Sequence, residues 1–361
     1  MSSRRSTIYD IAEQTGVTPI TVSRAFSGSA PVAIDTQRRI FNVAKRLGYR
    51  PNRRAQSFAS GRTRCIGLLY AQDSPFVNGV YGPLLREIAA ELEAHDHNLV
   101  LIPAMGGVDG WGQKLLDDRV DGCIVMQPCP TELGQALERY SLPTVVVNDR
   151  IDLDLPHVLN DERAAGRLAA EHLIGLGHRS IWYASRTDLH ATHYSFAERF
   201  EGVREAFQAA GLPDDPRMAM CRHGDGDDEG EILGCGKIAD LIRQDPAGAS
   251  ASALIAYDSI TAFRLLRHCY RSGVRVPDDL SIITFDAELD AERECPRVTK
   301  VYVPGAEMGQ VAAKLLLKKI GIDDVEQMGG NLPEQVEGVI RLTPKIIHGD
   351  SVAAPRTPRS T

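Results

Sequence analysis

Eleven lysines and arginines crowd the first 62 residues of this 361-residue chain: Arg4, Arg5, Arg24, Arg38, Arg39, Lys45, Arg46, Arg50, Arg53, Arg54 and Arg62. Against them stand only Asp10, Glu13 and Asp35, so the segment carries +8 and the remainder −15 of a total of −7. A small basic head on a large acidic body has the electrostatics of a polyanion-binding module joined to something else. Charge favours nucleic acid and leaves RNA and a membrane surface open. A second set of residues with chemistry to offer stands just after short apolar runs in the body. These are Asp73 to Phe76, Gln127, Asn148 to Arg150, Ser185, Tyr257-Asp258 and Asp286. Carboxylates, amides and aromatic rings so placed can hydrogen-bond and stack on a small polar ligand.

Other constellations point away from catalysis and metals. DGDDEG, residues 225–230, has the look of a calcium loop, but Glu229 breaks the third ligand slot and Gly236 stands where the bidentate Glu belongs. His190 and His193 are three apart without further ligands. No G-x-x-x-x-G-K-[ST], G-x-S-x-G or H-E-x-x-H occurs. No catalytic residue, cofactor or metal site is expected, and the chain reads as a binding protein rather than an enzyme. Its seven cysteines, scattered from Cys65 to Cys295 without a C-x-x-C pair, suit a reducing compartment. MSSRRSTIYD lacks an apolar h-region, and no apolar run approaches the roughly 20 residues that span a bilayer, so a cytoplasmic protein without a membrane partner is expected.

These residues must be positioned by elements that the spacing predicts. With 43% hydrophobic and 25% charged residues the composition is globular, and the length suits two or three domains. Thr7 can cap a helix over residues 8–14, with Gly16 as the turn. Thr18 as N-cap and Pro19 at the first helical position start a second helix, to about Phe26. A third, over 34–47, buries Ile40, Val43, Ala44 and Leu47. Two short helices around a glycine turn suggest a helix-turn-helix, closed by the third. PNRRAQSFASGRT, residues 51–63, is basic and carries one isolated large apolar residue, Phe58. Any helix there is shorter than the roughly 12 to 15 residues needed in water, so it is expected to order only on binding. Beyond it CIGLLY, NLVLIPA, GCIVMQ, PTVVVND, SIWYA, ASALIAY, LSIITF and RVTKVYV read as buried strands alternating with amphipathic helices, which argues a parallel α/β sheet. In such sheets ligands sit beyond the carboxyl ends of the strands. The tail SVAAPRTPRST is Pro/Ser/Thr-rich and is expected to be disordered.

TIYDIAEQTGVTPITVSRAFSG, RRIFNVAKRLGYRPN and RRAQSFASGRTRCIGLL resemble, in order and spacing, the helix-turn-helix, third helix and hinge helix of the LacI/GalR family of bacterial transcription regulators. RVDGCIV, NDERAAGRLAAEHLIGLGHRSIWY, AERFEGVREAF, GVRVPDDLSIITFD and EMGQVAAKLLL extend the resemblance over about 340 residues. It implies an N-terminal all-α helix-turn-helix domain (1–50), a hinge (51–63) and a two-lobed periplasmic-binding-protein-like parallel α/β core (64–348). Lobe 1 would span about 64–158 and 290–322, lobe 2 about 159–289 and 323–348, with crossings near 157–160, 287–290 and 321–324, and residues 349–361 would be a disordered tail.

By the same resemblance Pro19, Ile20 and Arg24 would meet base edges in the major groove. Thr18, Thr21, Ser23 and Asn52 would mostly contact phosphate or cap the helix, and Arg53 would add to the hinge contacts. Arg24 can chelate guanine O6 and N7; a phosphate contact is its other role. Phe58 stands where the family carries a leucine that wedges into the minor groove, and packing between two hinge helices is the alternative. Phe76, Asp149, Arg199, Tyr257 and Asp286 would line the inter-lobe cleft, suited to a polyhydroxyl effector. Tyr257 and Val303 depart from the family, which usually has Asn at the first and often Gln at the second, so one of its familiar small sugars held in the familiar way is not expected. The implied protein is a dimeric repressor on a palindromic operator in double-stranded DNA, controlled by a sugar-like small molecule. The competing reading is a cytoplasmic sugar-binding protein whose head has lost DNA function.

Overall fold

The computed structural model describes residues 6–27, 30–49, 62–70, 80–104, 115, 120–126, 134–137, 141–151, 153–185, 193–213, 217–220, 251–287, 297–322 and 338–355. It divides into two units, residues 1–64 with 118–121 and the rest of the chain.

In the first unit, α1 (Ile8–Thr15) starts at a reciprocal cap. The Asp10 carboxylate accepts from the Thr7 N–H (2.7 Å) and hydroxyl (2.8 Å), while Thr7 Oγ1 accepts from the Asp10 N–H (3.4 Å). It ends at Gly16, whose φ of 69° is the left-handed conformation that glycine adopts without strain. α2 (Pro19–Ser27) and α3 (Ile34–Arg46) complete the bundle around Ile11, Ala12, Val22, Ala25, Ile40, Val43 and Ala44. Phe26 packs against Phe41 and Tyr49 at 5.2 and 5.5 Å between ring centroids. So small a core is marginal, at about 1.5–3 kcal/mol per large aliphatic side chain, and the caps make a proportionately large contribution. Where the unit ends, the Thr63 N–H and hydroxyl and the Arg64 N–H all donate to the Asp121 carboxylate at 2.7–2.9 Å.

In the second unit the strands in chain order are β1 (Cys65–Tyr70), β2 (Asn98–Pro103), β3 (Gly122–Met126), β4 (Thr144–Val147), β5 (His157–Asn160), β6 (Ile181–Ser185), β7 (Arg217–Met220), β8 (Ala253–Ala256), β9 (Ser281–Asp286), β10 (Thr299–Tyr302), β11 (Val339–Leu342) and β12 (Lys345–Ile347). The helices are α4 (Tyr81–Ala94), α5 (Glu162–Gly175), α6 (Tyr194–Ala209), α7 (Ser259–Ser272) and α8 (Gly305–Lys319). Two six-stranded sheets result, ordered β11-β5-β4-β3-β1-β2 and β12-β10-β9-β8-β6-β7, parallel except for β12. Strands such as GCIVM and TVVV are buried along their whole length, the pattern of a parallel sheet shielded from water on both faces.

Two expectations are corrected here. The chain crosses between the sheets at Asp161, at Val303-Pro304 and at Thr343-Pro344; the last two lie well beyond 287–290 and 321–324. β10 stays in the second sheet because it pairs in register with β9, from Thr299↔Ile283 to Tyr302↔Asp286. Only then does α8 pack against α4 and the first sheet, and β11 pairs with β5 there. Residues 297–302 therefore do not belong with lobe 1, nor 338–342 with lobe 2. The tail is also ordered through Pro355. Ser351 is fully buried, its hydroxyl donating to Ile282 O (2.6 Å) and accepting from the Thr299 N–H (2.8 Å). Ala353 O accepts from the Ser281 hydroxyl (3.0 Å) and His178 Nε2–H (2.8 Å). Composition reports how weakly such a segment folds alone and misses that β9 offers it hydrogen-bond partners. The expectation for 356–361 lies outside the described residues.

Glycines set the spacing of α5 against α6. A Cβ on Gly166 would overlap the Arg199 carbonyl, and one on Gly202 the Arg163 carbonyl, so both helix backbones touch where neither can give way. Gly202→Ala is expected to destabilise by about 1–3 kcal/mol despite alanine's better helix propensity. Urea denaturation checks this; an unchanged or raised midpoint contradicts it.

Candidate nucleic-acid interface and ligand cleft

α2 buries Val22 and Ala25 against its neighbours and turns Ile20, Ser23 and Arg24 outward, Ile20 with 64% of its surface exposed. Pro19 is half-buried at the first helical position, where it lacks no useful N–H. Thr18 Oγ1 accepts from the Thr21 N–H (3.2 Å) and pairs with its hydroxyl at 2.9 Å, which makes Thr18 the cap. The exposed face is thus Ile20, Ser23 and Arg24 at helical spacing, with the positive charge on its C-terminal half. Tyr9, 68% exposed on α1, is a surface aromatic that sequence reasoning passed over, because a tyrosine beside Ile8 and Ile11 reads as core. Asn52, Arg53 and Phe58 lie outside the described residues.

Of the expected cleft residues, Phe76 also lies outside them, and the other four are buried at strand ends or on α6. The structure links Arg199 and Tyr257 directly. Arg199 donates from Nε and Nη2 to the two oxygens of Glu162 (2.5 and 3.0 Å) and from Nη1 to Tyr257 O (2.9 Å). Its guanidinium carbon lies 5.0 Å from the Tyr257 ring centroid and 4.5 Å from that of Phe285. Burial opposes the charge, but Glu162 more than compensates and holds Arg199 above its usual range. One face of Tyr257 is therefore already covered. Glu162 is the residue that sequence reasoning missed: it sits 37 positions from Arg199, and its only legible signal is an acid in the first turn of a helix.

The Tyr257 hydroxyl meets Ser195 Oγ at 2.6 Å, Ser195 Oγ meets His193 Nδ1 at 2.6 Å, and His193 Nε2 meets Asn148 O at 2.9 Å. A carbonyl can only accept, so Nε2 carries the imidazole proton and Nδ1 accepts from Ser195, leaving Tyr257 to donate to Ser195. Burial pushes His193 down to about 4, which keeps the ring neutral, and pushes the Tyr257 hydroxyl up. The chain of bonds fixes Tyr257 where the resemblance led to the expectation of an amide. It also joins the N-terminus of α6, in the second lobe, to Asn148 at the end of β4 in the first.

Asp149 follows. Its Oδ1 accepts from the Arg150 N–H (2.8 Å), while Oδ2 is buried without a hydrogen-bond partner among the described residues. Burial pushes this carboxyl up to about 6, the Arg150 N–H restraining it. The Arg150 side chain reaches across to Glu198 on α6 (2.8 Å), which Arg341 of β11 also approaches (3.4 Å). Asn160, two residues past the Val147↔Val158 pair as Asp149 is, is fully buried with neither amide atom partnered among the described residues. Asp286, the last residue of β9, accepts the Ala287 N–H at Oδ1 (2.7 Å) and is tied through its carbonyl to the Val303 N–H (2.8 Å). Asp258 instead caps α7, accepting from the Thr261 N–H (2.8 Å) and hydroxyl (2.6 Å). Residues 225–230 and His190 are outside the described set. No described helix is long and apolar enough to cross a membrane.

Two family models match the chain: "Bacterial regulatory proteins, lacI family" over residues 7–52 and "Periplasmic binding protein-like domain" over residues 170–352. Catabolite control protein A of Priestia megaterium is 28% identical over 336 residues, 92% of this chain and 97% of that protein. Among solved structures, the transcriptional regulator CelR–cellobiose complex has a TM-score of 0.64 and 25% identity, covering 96% of this chain and all of that one. The lac repressor dimer bound to operator and the anti-inducer ONPF has a TM-score of 0.74 at 21% identity, covering 97% and 100%.

Proposed function

From the premise that this chain belongs to the LacI family of bacterial regulatory proteins, a helix-turn-helix head joined to a periplasmic-binding-protein-like core, we propose that it is a dimeric cytoplasmic repressor without enzymatic activity. It grips a palindromic operator through two heads and releases or tightens that grip when a sugar-like small molecule enters the cleft between the lobes. The observation that carries this reading is α2 itself. A helix that buries Val22 and Ala25 and projects Ile20, Ser23 and Arg24 from a +8 segment has the shape and charge to lie in a major groove. Thr18, Pro19 and Thr21 set its entry, and Asn52, Arg53 and Phe58 are assigned to backbone and minor-groove contacts.

In the core, Phe76, Asp149, Arg199, Tyr257 and Asp286 are assigned to the effector. Because α6 holds Asn148 and Arg150 of one lobe through His193 and Glu198 of the other, a ligand at Asp149 changes what lobe closure is worth. An effector can shift the DNA-binding equilibrium only by its differential affinity for the two arrangements, typically about 1–3 kcal/mol.

The test is fluorescence anisotropy with randomised palindromes selected on the full-length protein. Affinity for the selected site is expected to fall steeply with salt, by a log–log slope of about −0.9 per phosphate neutralised. Arg24→Ala is expected to cost about 1–3 kcal/mol and to relax preference at one base pair per half-site. Binding indifferent to sequence and salt rejects the reading; uniform weakening across all sequences makes Arg24 a phosphate contact.

A further inference from the structure

β1 and β3 pair in parallel with Ile66 opposite Gly122, and each is preceded by a residue that takes part in one clamp, Arg64 before β1 and Asp121 before β3. The Asp121 carboxylate accepts three hydrogen bonds, at Oδ1 from the Thr63 N–H (2.7 Å) and hydroxyl (2.9 Å) and at Oδ2 from the Arg64 N–H (2.7 Å). Bonds to an ionised acceptor are about twice as strong as those between neutral groups. Arg64 has a φ of 55°, in the left-handed region that a residue with a Cβ occupies only where its surroundings hold it. The backbone that bears the clamp is itself fixed. A Cβ on Gly122 would stand 3.0 Å from Pro143 O and 3.0 Å from Leu316 Cδ1 of α8, and the Cys123 N–H donates to Pro143 O (2.8 Å). The strand pairs of β1 begin at Cys65 and Ile66, so the clamp lies outside the ladder and acts on the chain that precedes it. Asp121 therefore grips from a firm base and sets the direction in which the chain runs back from Cys65 through Arg64 and Thr63.

We infer that Asp121 is a positioning residue for operator recognition: by fixing the exit of the chain that carries each head, it sets the separation of half-sites that the dimer accepts. The inference rests on the reading of the protein as a dimeric operator-binding repressor, and it assigns spacing selectivity to a residue outside the DNA-contacting set. A head on a loose tether follows a half-site that is moved along and around the duplex, and its effective concentration there changes little. A head whose tether leaves in a fixed direction cannot follow, and the misplacement appears as lost affinity. One inserted base pair shifts a half-site by about 3.4 Å and rotates it by roughly a tenth of a turn. A single half-site makes no demand on the relation of two heads, so its affinity does not depend on the clamp.

The experiment measures the affinity of the full-length protein, by fluorescence anisotropy, for three kinds of duplex: the selected palindrome, the same palindrome with base pairs inserted or removed at its centre, and a single half-site. The wild type is expected to lose about tenfold for each base pair of misplacement. In Asp121→Ala the loss is expected to be under about threefold per base pair, with affinity for the single half-site within about twofold of wild type. Asp121→Asn keeps both bonds from Thr63 and sets an amide against the Arg64 N–H. It is expected to move in the same direction and decides the question where the alanine variant does not fold. Hydrogen exchange on the free protein is the second readout. The Thr63 and Arg64 amides are expected to be protected in wild type and to lose that protection in Asp121→Ala. A spacing profile unchanged by the substitution overturns the inference, as does free exchange of the two amides in wild type. Equal weakening on the palindrome and the single half-site also overturns it, since that is what a merely structural role produces. A wild type that binds a single half-site as tightly as the palindrome removes the dimeric operator reading itself, whereas a wild-type spacing preference that survives the substitution removes only the role of Asp121.

Discussion

Arg199→Ala is expected to lower the unfolding free energy by about 3–5 kcal/mol, because it strands the Glu162 carboxylate in the interior with its charge uncompensated. Both side chains are buried, and the pair is made through two hydrogen bonds, with a third from Arg199 to Tyr257 O. The loss includes the packing of the guanidinium over Tyr257 and Phe285. Denaturant unfolding monitored by circular dichroism measures it. The deficit is expected to shrink as pH falls, since a stranded Glu162 can take up a proton, and the double variant Arg199→Met with Glu162→Leu is expected to recover much of the stability. A change under about 1 kcal/mol would mean that water reaches the pair and that Arg199 is available to a ligand's anion.

The second large effect runs the other way. Burial raises Asp149 to about 6 from an ordinary 3.8, so the folded protein holds this proton more tightly than the unfolded chain does. Stability from this group is therefore full below pH 4 and falls as pH rises through 6. At about 1.4 kcal/mol per pH unit, ionised Asp149 costs up to about 3 kcal/mol at neutral pH. Asp149→Asn is expected to be more stable than wild type by up to that amount at pH 7–8 and no different below pH 4, while binding the effector more weakly if Asp149 contacts it as proposed. His193, pushed down to about 4, has the opposite sign: its contribution is present above pH 6.5 and lost as pH falls towards 4. The two partly cancel in the wild type, so the variant is expected to be the more acid-sensitive protein between pH 6.5 and 4. A variant less stable than wild type at pH 8 would show that Asp149 is compensated within the fold. Such an exchange of stability for function is the usual signature of a binding site.

Much of the architecture was legible in the sequence because its signals are local. Thr7, Gly16, Thr18 and Pro19 punctuate two helices within a residue of where they lie, and runs such as GCIVM and SIITF can only be buried strands. β5, β7, β11 and β12 escaped because HVLN, RMAM, VIRL and KII are short and each includes a polar or charged residue, so none stands out as an apolar run as TVVV and ALIA do. Which sheet RVTKVYV joins depends on pairing with Ile283 to Asp286, a long-range fact that no local pattern encodes. The candidate site divides in the same way. Strand-end positions flagged Asp149, Tyr257 and Asp286, but the bonds from Glu162 to Arg199 and from His193 to Asn148 join residues 37 and 45 positions apart. The ordered tail belongs to this class too, since Ser351 owes its burial to Ile282 and Thr299.

The three passages of the chain between its sheets bear on how such receptors can be recombined. Each lobe is assembled from separated stretches of gene, the first from β1–β5 together with α8 and β11, the second from α5 to β10 together with β12. A single-point exchange between two relatives would mix ancestries inside one or both hydrogen-bonded ladders; a clean swap of one lobe needs simultaneous joints at Asp161, Val303-Pro304 and Thr343-Pro344. The helical head, one continuous run from the N-terminus, carries no such constraint. Shuffling can hand an inherited sensor a new address on the chromosome far more readily than it can rebuild the sensor.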